Sequence, residues 1–270
     1  LGDKTRKGFY QKVRKPDDSS EILAMDLKTK EYKAQEKPKF ASLGQAKQID
    51  DLKDRIKFLV KAKDRAGDFY RASYSGLFEY VSNRIPEIAD DLYKIDQGMK
   101  AGFGWDLGPF ETWDAIGLEK GLKMMEAAGN KAAAWVTEMV TAGHTSFYKT
   151  ENGTLLYYNI GKKNFEKVPG MENFIILDHI RPSKTIWSNS ECAIEDLGDG
   201  IINVEFRSKM NSLGSGVLAG VNKAIELAEK DYRGLVVGNQ APNFTVGANL
   251  AMVLMMGIEQ EWDELNFAIK

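Results

Sequence analysis

The chain has 270 residues, a length that allows one large domain or two domains of ordinary size. Hydrophobic residues make up 43% and charged residues 28%, a composition that excludes a disordered chain. The 37 basic and 39 acidic residues give a formal net charge of −2, so no overall field attracts nucleic acid or a membrane surface.

The numbers of cysteine and histidine residues, and the lengths of the apolar runs, further limit the class of protein. The single cysteine, Cys192, excludes an internal disulfide and a cysteine-based zinc site, and it fits a reducing compartment. Two histidines are too few to indicate a metal cluster. No apolar run reaches the roughly 18 residues that a spanning helix needs. We predict a cytoplasmic protein without a nucleic-acid partner, a transmembrane segment or a metal.

Two segments, residues 8–40 and 146–174, share a pattern of hydrophobic and turn residues. In each, short β-prone runs flank turn residues, DLKTKE in the first and NIGKKN in the second, which is typical of a β-hairpin. We therefore predict a duplicated unit. The corresponding residues share one offset of 133 positions: Leu23 and Leu156, Asp26 and Asn159, Leu27 and Ile160, Tyr32 and Phe165.

Helices are predicted between the two hairpins. Residues 49–85 place apolar residues at spacings of three and four, with Gly67 and Gly76 as candidate interruptions and Pro86 as the start of the next helix. ETWDAIGLEKGLKMMEAAG and KAAAWVTEMVTAG predict shorter helices, each closed by a glycine. The predicted apolar stripe of the first helix is Leu52, Ile56, Leu59 and Val60.

After Pro182 the pattern becomes that of an α/β unit. Residues 191–206 contain two β-prone runs about a turn at residues 198–200. SLGSGVLAGVNKAIELAEKD predicts an amphipathic helix, GLVVGN a short buried strand, and NLAMVLMMGIEQEWDELNFAIK a further helical segment. The inward residues of the first of these helices are predicted to be Val217, Val221, Ile225 and Leu227.

The run GFGWDLG, residues 102–108, imitates a nucleotide-binding glycine loop. It follows a helical pattern rather than a strand, so it lacks the strand, glycine loop and helix that phosphate binding requires. No strand-GxGxxG-helix is found elsewhere in the chain. We therefore predict that this chain does not bind NAD.

Residues 95–118, IDQGMKAGFGWDLGPFETWDAIGL, resemble the signature of the C-terminal helical domain of 3-hydroxyacyl-CoA dehydrogenases. In that family an aspartate and a methionine lead to Gly-x-Gly, then to Gly-Pro-Phe-Glu and an Asp-x-Ile-Gly-Leu turn. The opening GDKTRKGFY is similar to the end of the first helical unit, which is duplicated in multifunctional members. Pro109 is suited to starting a helix with Phe110, Trp113 and Ile116 on one face. This favours packing over direct substrate contact.

The dehydrogenase resemblance implies chemistry that this chain does not complete. In the family, hydride transfer uses an NAD-binding Rossmann domain and a His-Glu pair upstream of the helical unit. Neither His144 nor His179 matches that pair. The resemblance therefore implies that NAD is a cofactor of the parent protein and is not bound by this chain.

Residues 198–253 are similar to the first half of the crotonase, or enoyl-CoA hydratase, fold. That family has an Asn-Ala-Leu-like segment, matched here by MNSL at residues 210–213. It also has a Phe-x-x-Gly-Ala-Asp-Leu turn, matched by FTVGANL at residues 244–250. Asn249 replaces the usual aspartate; it keeps the capacity to cap a helix but loses the charge.

Adding water to a 2-enoyl thioester places negative charge on the thioester oxygen. Preorganised N–H donors stabilise that charge, and losing one donor costs about 2.7–4 kcal/mol. A glycine turn that opens a helix exposes such donors. The resemblance implies that the Ala248 N–H is the first oxyanion donor, and that the loop Lys209, Met210 and Asn211, with Gly247, holds the nucleotide end of CoA. An ordinary strand-to-helix turn is the alternative interpretation.

The family's second oxyanion donor, from a Gly-Gly-Gly turn, and its two glutamates have no counterpart in this chain. Glu259, Glu261 and Glu264 do not match them. We therefore expect a segment of a fused β-oxidation enzyme that is not catalytically complete. The alternative is a non-catalytic module for oligomerisation, as a homodimer through the helical domain, and for docking of an acyl-CoA thioester.

The predicted fold class is α+β and multidomain. An all-α dehydrogenase C-terminal domain with β-hairpins is followed by the first half of a crotonase-like α/β domain. The predicted domains are the end of a first helical unit with its hairpin at 1–40, the dehydrogenase helical domain at 41–145, a second hairpin and linker at 146–190, and the partial crotonase-like domain at 191–270.

Overall fold

The computed structural model describes residue 5, residues 8–36 and residues 38–269, and side chains as far as residue 266. It divides into two compact units, Leu1–Gly76 and Leu77–Lys270, each of which is described by itself. The division falls inside the segment 41–145, which is predicted to be one domain. The mixed helix-and-sheet class is confirmed, whereas the predicted domain boundaries and the crotonase-like domain stay predictions.

The first unit begins with a three-stranded antiparallel sheet, β1-β2-β3. The predicted hairpin is its second half, and a preceding strand extends it on the other side. Leu23 pairs with Ala34, and Met25 pairs with Tyr32. Asp26 shapes the turn by accepting hydrogen bonds from the N–H groups of residues 28 and 29. The strands are β1 (Tyr10–Arg14), β2 (Ser20–Met25) and β3 (Tyr32–Ala34).

Three helices follow: α1 (Ala41–Ala46), α2 (Leu52–Lys61) and α3 (Arg65–Asn83). Within α2 the predicted residues Ile56 and Leu59 are buried. The prediction that Gly67 or Gly76 interrupts the helix was wrong, because the break lies between α2 and α3, at residues 62–64. Gly67 lies inside α3, where an added Cβ would be 2.1 Å from the carbonyl oxygen of Ala62.

In the second unit four helices lie between α3 and the next sheet: α4 (Leu92–Phe103), α5 (Pro109–Ile116), α6 (Leu118–Ala127) and α7 (Ala134–Thr141). The prediction that Pro86 starts a helix was wrong, because α4 starts at Leu92 after the extended residue Asp91. Asp91 is held there by the Tyr157 hydroxyl, which donates to its carboxylate at 3.0 Å. Gly129 and Gly143 follow α6 and α7 with positive φ, as predicted for closing glycines. The prediction of a single helix over residues 111–129 was wrong, because Gly117, with φ of 103°, ends α5 and precedes α6.

Aromatic rings form the centre of this helical region. The Trp113 ring stacks on Phe78 with centroids 4.5 Å apart, and its indole N–H donates to the carbonyl of Leu118 at 3.2 Å. Phe147 packs edge-on against both Trp113 and Phe110. All these rings are fully buried, which supports the packing interpretation of the GPFE segment.

A second three-stranded antiparallel sheet follows α7: β4 (Tyr148–Glu151), β5 (Thr154–Asn159) and β6 (Asn164–Lys167). Leu156 pairs with Lys167, and Tyr158 pairs with Phe165, which reproduces the pairing of the first hairpin at the predicted offset. Asn159 also repeats the role of its counterpart by accepting from the N–H of Lys162. The two hairpins therefore share register and turn geometry.

The remainder of the second unit is a four-stranded sheet in the order β10-β9-β8-β7. Strands β7, β8 and β9 are antiparallel, and α9 connects β9 to a parallel β10. The strand predicted in GLVVGN is present, but the prediction that it is buried was wrong, because Val236 and Val237 are exposed at the edge of the sheet. The elements are α8 (Leu177–Lys184), β7 (Thr185–Ser188), β8 (Cys192–Gly198), β9 (Ile201–Phe206), α9 (Ser215–Asp231), β10 (Gly234–Val237), α10 (Leu250–Ile258) and α11 (Trp262–Ile269).

Helix α9 packs on the apolar face of β8 and β9. Val217 and Ala224 are buried against Cys192 and Ile194, and Val221 and Leu227 pack beside them. The prediction that Ile225 points inward was wrong, since it is 42% exposed. Ala224 takes that position because it follows Val217 by seven residues, close to two helical turns, and Ile225 lies one residue further round the helix.

In the part of the chain that the structure describes, each helix is too short or too polar to span a bilayer.

Candidate functional site

The turn that precedes α10 and the loop that follows β9 come together. The N–H of Leu213 donates to the carbonyl of Gly247 at 2.8 Å, and the N–H of Asn249 donates to the carbonyl of Leu213 at 2.9 Å. These bonds form an isolated parallel bridge between Leu213 and Ala248. Because α9 and β10 separate the two positions in sequence, the tertiary fold assembles all the predicted site residues in one place.

The amide of Ala248 lies between the two bonds of this bridge and takes part in neither. No acceptor among the described residues bonds to its N–H, and the residue is exposed. Gly247 has a φ of 90°, a conformation that favours glycine. Asn249 caps α10 by accepting from the N–H groups of residues 251 and 252. The Ala248 N–H is therefore a free donor beside the positive end of a helix dipole.

Asn211 holds this turn from the inside. Its backbone is left-handed, with φ of 54°, and its side chain is buried. The side-chain amide donates to the carbonyls of Asn243 at 3.0 Å and Phe244 at 3.2 Å. The Thr245 hydroxyl donates to the carbonyl of Asn211 and accepts from the N–H of Gly247. The Asn211 side chain therefore positions the turn; its contact with CoA stays a prediction.

Lys209 and Met210 lie on the outer side of the same loop. Both are exposed, and Met210 has a left-handed φ of 55°. Lys209 forms no ion pair within the described residues, so its ammonium group is available to a phosphate. The exposed apolar side chains of Phe244, Val246 and Leu250 flank the Ala248 amide in sequence. The surface thus combines one free donor, one cation and apolar area.

Asp96 is the centre of a second cluster of polar groups, and no sequence pattern indicated its role. Its carboxylate accepts from the N–H of Phe110 at 2.9 Å and of Glu111 at 3.0 Å, the first-turn donors of α5. Gly108 at the helix start has no side chain to cap them. An added Cβ at Gly108 would be 2.3 Å from Asp96. Asp96 therefore supplies the cap from α4, which explains the spacing of Asp, Gly-Pro and Phe-Glu.

Burial raises the pKa of Asp96 to about 7. The hydrogen bond from the Phe110 N–H lowers this pKa, and the nearby Glu111 carboxylate raises it. Glu111 itself accepts from the Gly108 N–H at 2.7 Å and pairs with the Lys100 ammonium at 2.7 Å. The group at the start of α5 thus combines a buried acid with a partly exposed ion pair.

Tyr148 connects the second sheet to this group. Its hydroxyl donates to Asp96 at 2.9 Å, and burial raises the pKa of Tyr148 far above its ordinary value. Asp114 fixes the same strand by accepting from the N–H groups of Phe147 and Tyr148. The sequence contained two indications of these residues: the aspartate of the dehydrogenase signature, which is Asp96, and the repeated Phe-Tyr pair, which includes Tyr148. Their partners, 33 to 52 residues away, could not be read from spacing.

Two glycine-containing segments of the described chain were candidates for the phosphates of NAD, and neither fits them. The strand-to-helix connection from β9 to α9 contains Gly214 and Gly216, the setting in which a dinucleotide phosphate is usually held. Here the Glu191 carboxylate accepts from the Gly216 N–H at 3.0 Å and lies 2.9 Å from where a Gly214 Cβ would be. A protein anion already occupies this helix start. The Gly102 and Gly104 run belongs to the end of α4 and follows no strand.

Within the described residues, no group of three or more His, Cys, Asp or Glu side chains is arranged to hold a metal ion.

Comparison with known proteins identifies the helical region. Residues 81–157 match the family model for "3-hydroxyacyl-CoA dehydrogenase, C-terminal domain". The chain is 40% identical over 271 aligned positions to the "Probable 3-hydroxyacyl-CoA dehydrogenase" of Bacillus subtilis (strain 168). That alignment covers 100% of this chain and 34% of the relative. The chain therefore contains this helical domain and is homologous to 3-hydroxyacyl-CoA dehydrogenases.

Two more distant relatives carry a broader description. The "Putative fatty acid oxidation complex trifunctional enzyme" of Rickettsia felis (strain ATCC VR-1525 / URRWXCal2) is 23% identical, with 79% of this chain and 26% of the relative aligned. Its namesake in Rickettsia prowazekii (strain Madrid E) is 22% identical over 76% of this chain and 26% of the relative. No solved structure matches the chain significantly. The chain spans about a third or less of the length of these relatives.

Proposed function

We propose that this chain is the acyl-CoA-handling part of a 3-hydroxyacyl-CoA dehydrogenase that also has a crotonase-type enoyl-CoA hydratase site. In this proposal the whole protein hydrates 2-enoyl-CoA and oxidises the resulting 3-hydroxyacyl-CoA with NAD. The homology supports the dehydrogenase assignment. The free N–H of Ala248 beside α10 is the single observation that carries the hydratase assignment.

The Ala248 N–H is suited to the charge that hydration creates. When water adds to the enoyl group, electrons move onto the thioester oxygen, and a fixed N–H donor stabilises that oxygen more than it stabilises the substrate. The two bonds on either side of Ala248 hold the amide in place before substrate arrives. The dipole of α10 adds a partial positive charge at the same point. The chain thus contributes one oxyanion donor.

Lys209 and the apolar rim support binding of the thioester. The Lys209 ammonium can pair with a CoA phosphate, and the exposed Met210 beside it offers a polarisable surface to an aromatic base. The second oxyanion donor and the carboxylates that move the proton are proposed to lie outside this chain, as is the NAD site. The 34% share of the Bacillus relative that this chain covers leaves room for them.

Replacing Ala248 by proline tests the hydratase proposal. Proline removes the N–H without touching the bridge bonds, which use Gly247 and Asn249. In the intact enzyme we expect the turnover number for 2-enoyl-CoA hydration to fall about 10²- to 10³-fold. The matched control is Ala248→Gly, which changes the same side chain and keeps the N–H. Equal turnover of both variants would remove the hydratase assignment.

A second candidate is a non-catalytic module that forms a homodimer through the helical domain and docks acyl-CoA. It is favoured by the GPFE segment, whose one ring, Phe110, is buried against Phe147 rather than open to substrate. Sedimentation of the 270-residue chain with and without acyl-CoA separates the cases. A dimer that ignores acyl-CoA supports assembly, whereas a ligand-dependent change supports an acyl-CoA site. Hydration or oxidation by the isolated chain would contradict its proposed incompleteness.

A further inference from the structure

The face of β8 and β9 that points away from α9 carries buried polar side chains. Glu195 is completely buried there, Asn203 and Glu205 are 3% exposed, and helix α8 packs over this face. Polar groups at such a depth are normally hydrogen-bonded in full. The Glu195 carboxyl is an exception, because Oε2 accepts from the Asn203 amide at 3.2 Å, while Oε1 bonds to no described residue. Neither proposed activity uses this group.

The nearest cations do not neutralise an ionised Glu195. The Arg181 guanidinium donates to Glu205, with Nε and Oε2 2.7 Å apart, and Arg207 is exposed and does not bond to Glu195. Burial raises the pKa of Glu195, the hydrogen bond from Asn203 lowers it and the Glu205 charge raises it. The neutral form of Glu195 therefore persists to higher pH than that of an exposed glutamate.

The neighbouring elements carry few other groups that titrate. Strand β7 and residues 234–239 have none. The titratable and charged residues are Asp178, His179, Arg181 and Lys184 on α8, Cys192 and Asp196 on β8, and Glu205 and Arg207 on or just after β9.

Asn203 connects Glu195 to the chain that follows β10. The Nδ2 atom that donates to Glu195 also donates to the carbonyl of Gly238 at 3.2 Å. An added Cβ on Gly238 would be 2.7 Å from the Asn203 amide oxygen, so the two residues are in direct contact. An amide group has two N–H donors, one for each of these acceptors. The Asn203 side chain therefore ties the end of β10 to the buried acid.

The next residue carries the connection to the turn that contains Ala248. Asn239 accepts from the N–H of Phe206 at 2.7 Å, and its amide donates to the carbonyl of Phe244 at 2.8 Å. The same carbonyl accepts from Asn211, the side chain that holds the turn. A continuous path of bonded groups therefore runs from the buried acid to the turn with the free amide.

We infer that Glu195 is a positioning residue for the Ala248 amide, which it holds through Asn203 while its carboxyl is neutral and releases when the carboxyl ionises. A buried carboxylate with a single hydrogen bond is costly until further donors reach it. The second N–H of the Asn203 amide can turn to the carboxylate, and this breaks its bond to Gly238. The turn is therefore held at low pH and loosened as pH rises. Only the catalytic consequence rests on the proposed hydratase function.

The first test follows backbone amide chemical shifts of the 270-residue chain from pH 4 to pH 9. We expect Gly238, Asn239 and Ala248 to titrate with one midpoint above the ordinary glutamate value of 4.5. Glu195→Gln keeps a neutral side chain of similar shape and should abolish this titration. His179→Gln is the control for the histidine on α8 and should leave the midpoint unchanged. Titration that persists in Glu195→Gln, disappears in His179→Gln or is absent from wild type would overturn the inference.

Two further variants test the path itself. Asn203→Ala should remove the pH dependence of both Gly238 and Ala248, because it removes the bonds to the acid and to the Gly238 carbonyl. Asn239→Ala cuts a bond nearer the surface, so it keeps the protein folded if Asn203→Ala does not. In Asn239→Ala we expect Gly238 to titrate as in wild type and Ala248 to stop titrating. An unchanged titration of Ala248 in that variant would contradict the path.

The pH profile of the intact enzyme measures the catalytic consequence. We expect the ratio of wild-type to Glu195→Gln turnover number for hydration to fall about three- to tenfold between pH 6 and pH 9, less than the loss of the whole donor. A constant ratio in an enzyme that Ala248→Pro impairs would overturn the inference and leave the hydratase function. Full hydration by Ala248→Pro, with the wild-type amide still titrating through Glu195, would instead remove the hydratase function and leave the positioning.

Discussion

The two three-stranded sheets have the same hairpin and differ in how it is anchored. Pairings Leu23–Ala34 and Leu156–Lys167 correspond at one offset, as do the turn acceptors and the left-handed lysines that end each turn. In the first sheet Phe9 is 68% exposed, whereas Phe147 in the second is fully buried. The same local pattern of hydrophobic and turn residues therefore occurs in a sheet whose preceding phenylalanine is exposed and in a sheet whose preceding phenylalanine is buried in a helical core.

The difference lies in what precedes the hairpin. Before the second hairpin, Asp114 and Asp96 hold Phe147 and Tyr148 by backbone and hydroxyl hydrogen bonds from two different helices. In the first sheet the corresponding hydrogen bond is local, because the Tyr32 hydroxyl of β3 donates to the carbonyl of Gly8, just before β1. Turn residues thus determine the hairpin, and long-range carboxylates determine whether it becomes part of a core.

Truncating the ring that anchors the second sheet should have the largest effect. We expect Phe147→Ala to lower the free energy of unfolding by about 3–5 kcal/mol, because it leaves a cavity beside Trp113 and Phe110. Phe9→Ala should change it by less than about 0.5 kcal/mol. Amide hydrogen exchange in β4–β6 and in β1–β3 measures each sheet separately. Similar losses for the two variants would show that the sheets are anchored alike.

Asp96 should give the second region a pH dependence. With a pKa of about 7 in the folded protein against 3.8 in the unfolded chain, Asp96 keeps its proton while the unfolded chain loses it. Its contribution to stability should therefore fall as pH rises from about 4 to 7 and level off above that. Chemical denaturation across this range measures the slope, to which one such group can add at most about 1.4 kcal/mol per pH unit.

Asp96→Asn should remove that slope and weaken the cap. We expect it to cost about 1–3 kcal/mol at acidic pH, because the amide cannot accept from both N–H groups of α5 and leaves one buried donor unsatisfied. Glu119→Gln, an exposed change on α6, is a suitable control. An unchanged pH slope in Asp96→Asn would show that another group titrates.

The smallest effects should come from exchanging the turn acceptors. Asn159→Asp should cost about 1 kcal/mol, because it places a carboxylate beside Glu166, to which the amide now donates at 2.8 Å. Asp26→Asn should preserve the turn, as Asn159 does, and lose only the hydrogen bond from Lys33.

Asp26 also provides a test at acidic pH. The Lys33 ammonium, followed by turn N–H donors, lowers the pKa of Asp26 to about 2. Its contribution is present above pH 4 and is lost as pH falls through about 2. Asp26→Asn should abolish this acid sensitivity of the first sheet, measured by circular dichroism from pH 2 to 5. A sensitivity that persists in the variant would contradict the assignment.

Local chemistry in the sequence determined much of this protein. It predicted both hairpins, the start of α5 at Pro109, the closing glycines of α6 and α7, and the strand pair about residues 198–200. These features depend on turn residues, proline geometry and alternation over a few positions. The resemblance also identified the helical domain that the family comparison confirms.

Only the tertiary structure decided which residues meet. It showed that Asp96 caps a helix that begins 13 residues later. It also showed that the Tyr157 hydroxyl donates to Asp91, the residue before α4. In α9, it placed Ala224 rather than Ile225 against the sheet. It also brought Leu213 beside Ala248 and left that amide without an acceptor among the described residues. The reason is physical: turn and helix preferences act within a few residues, whereas packing and buried hydrogen bonds join partners whose separation no local pattern encodes.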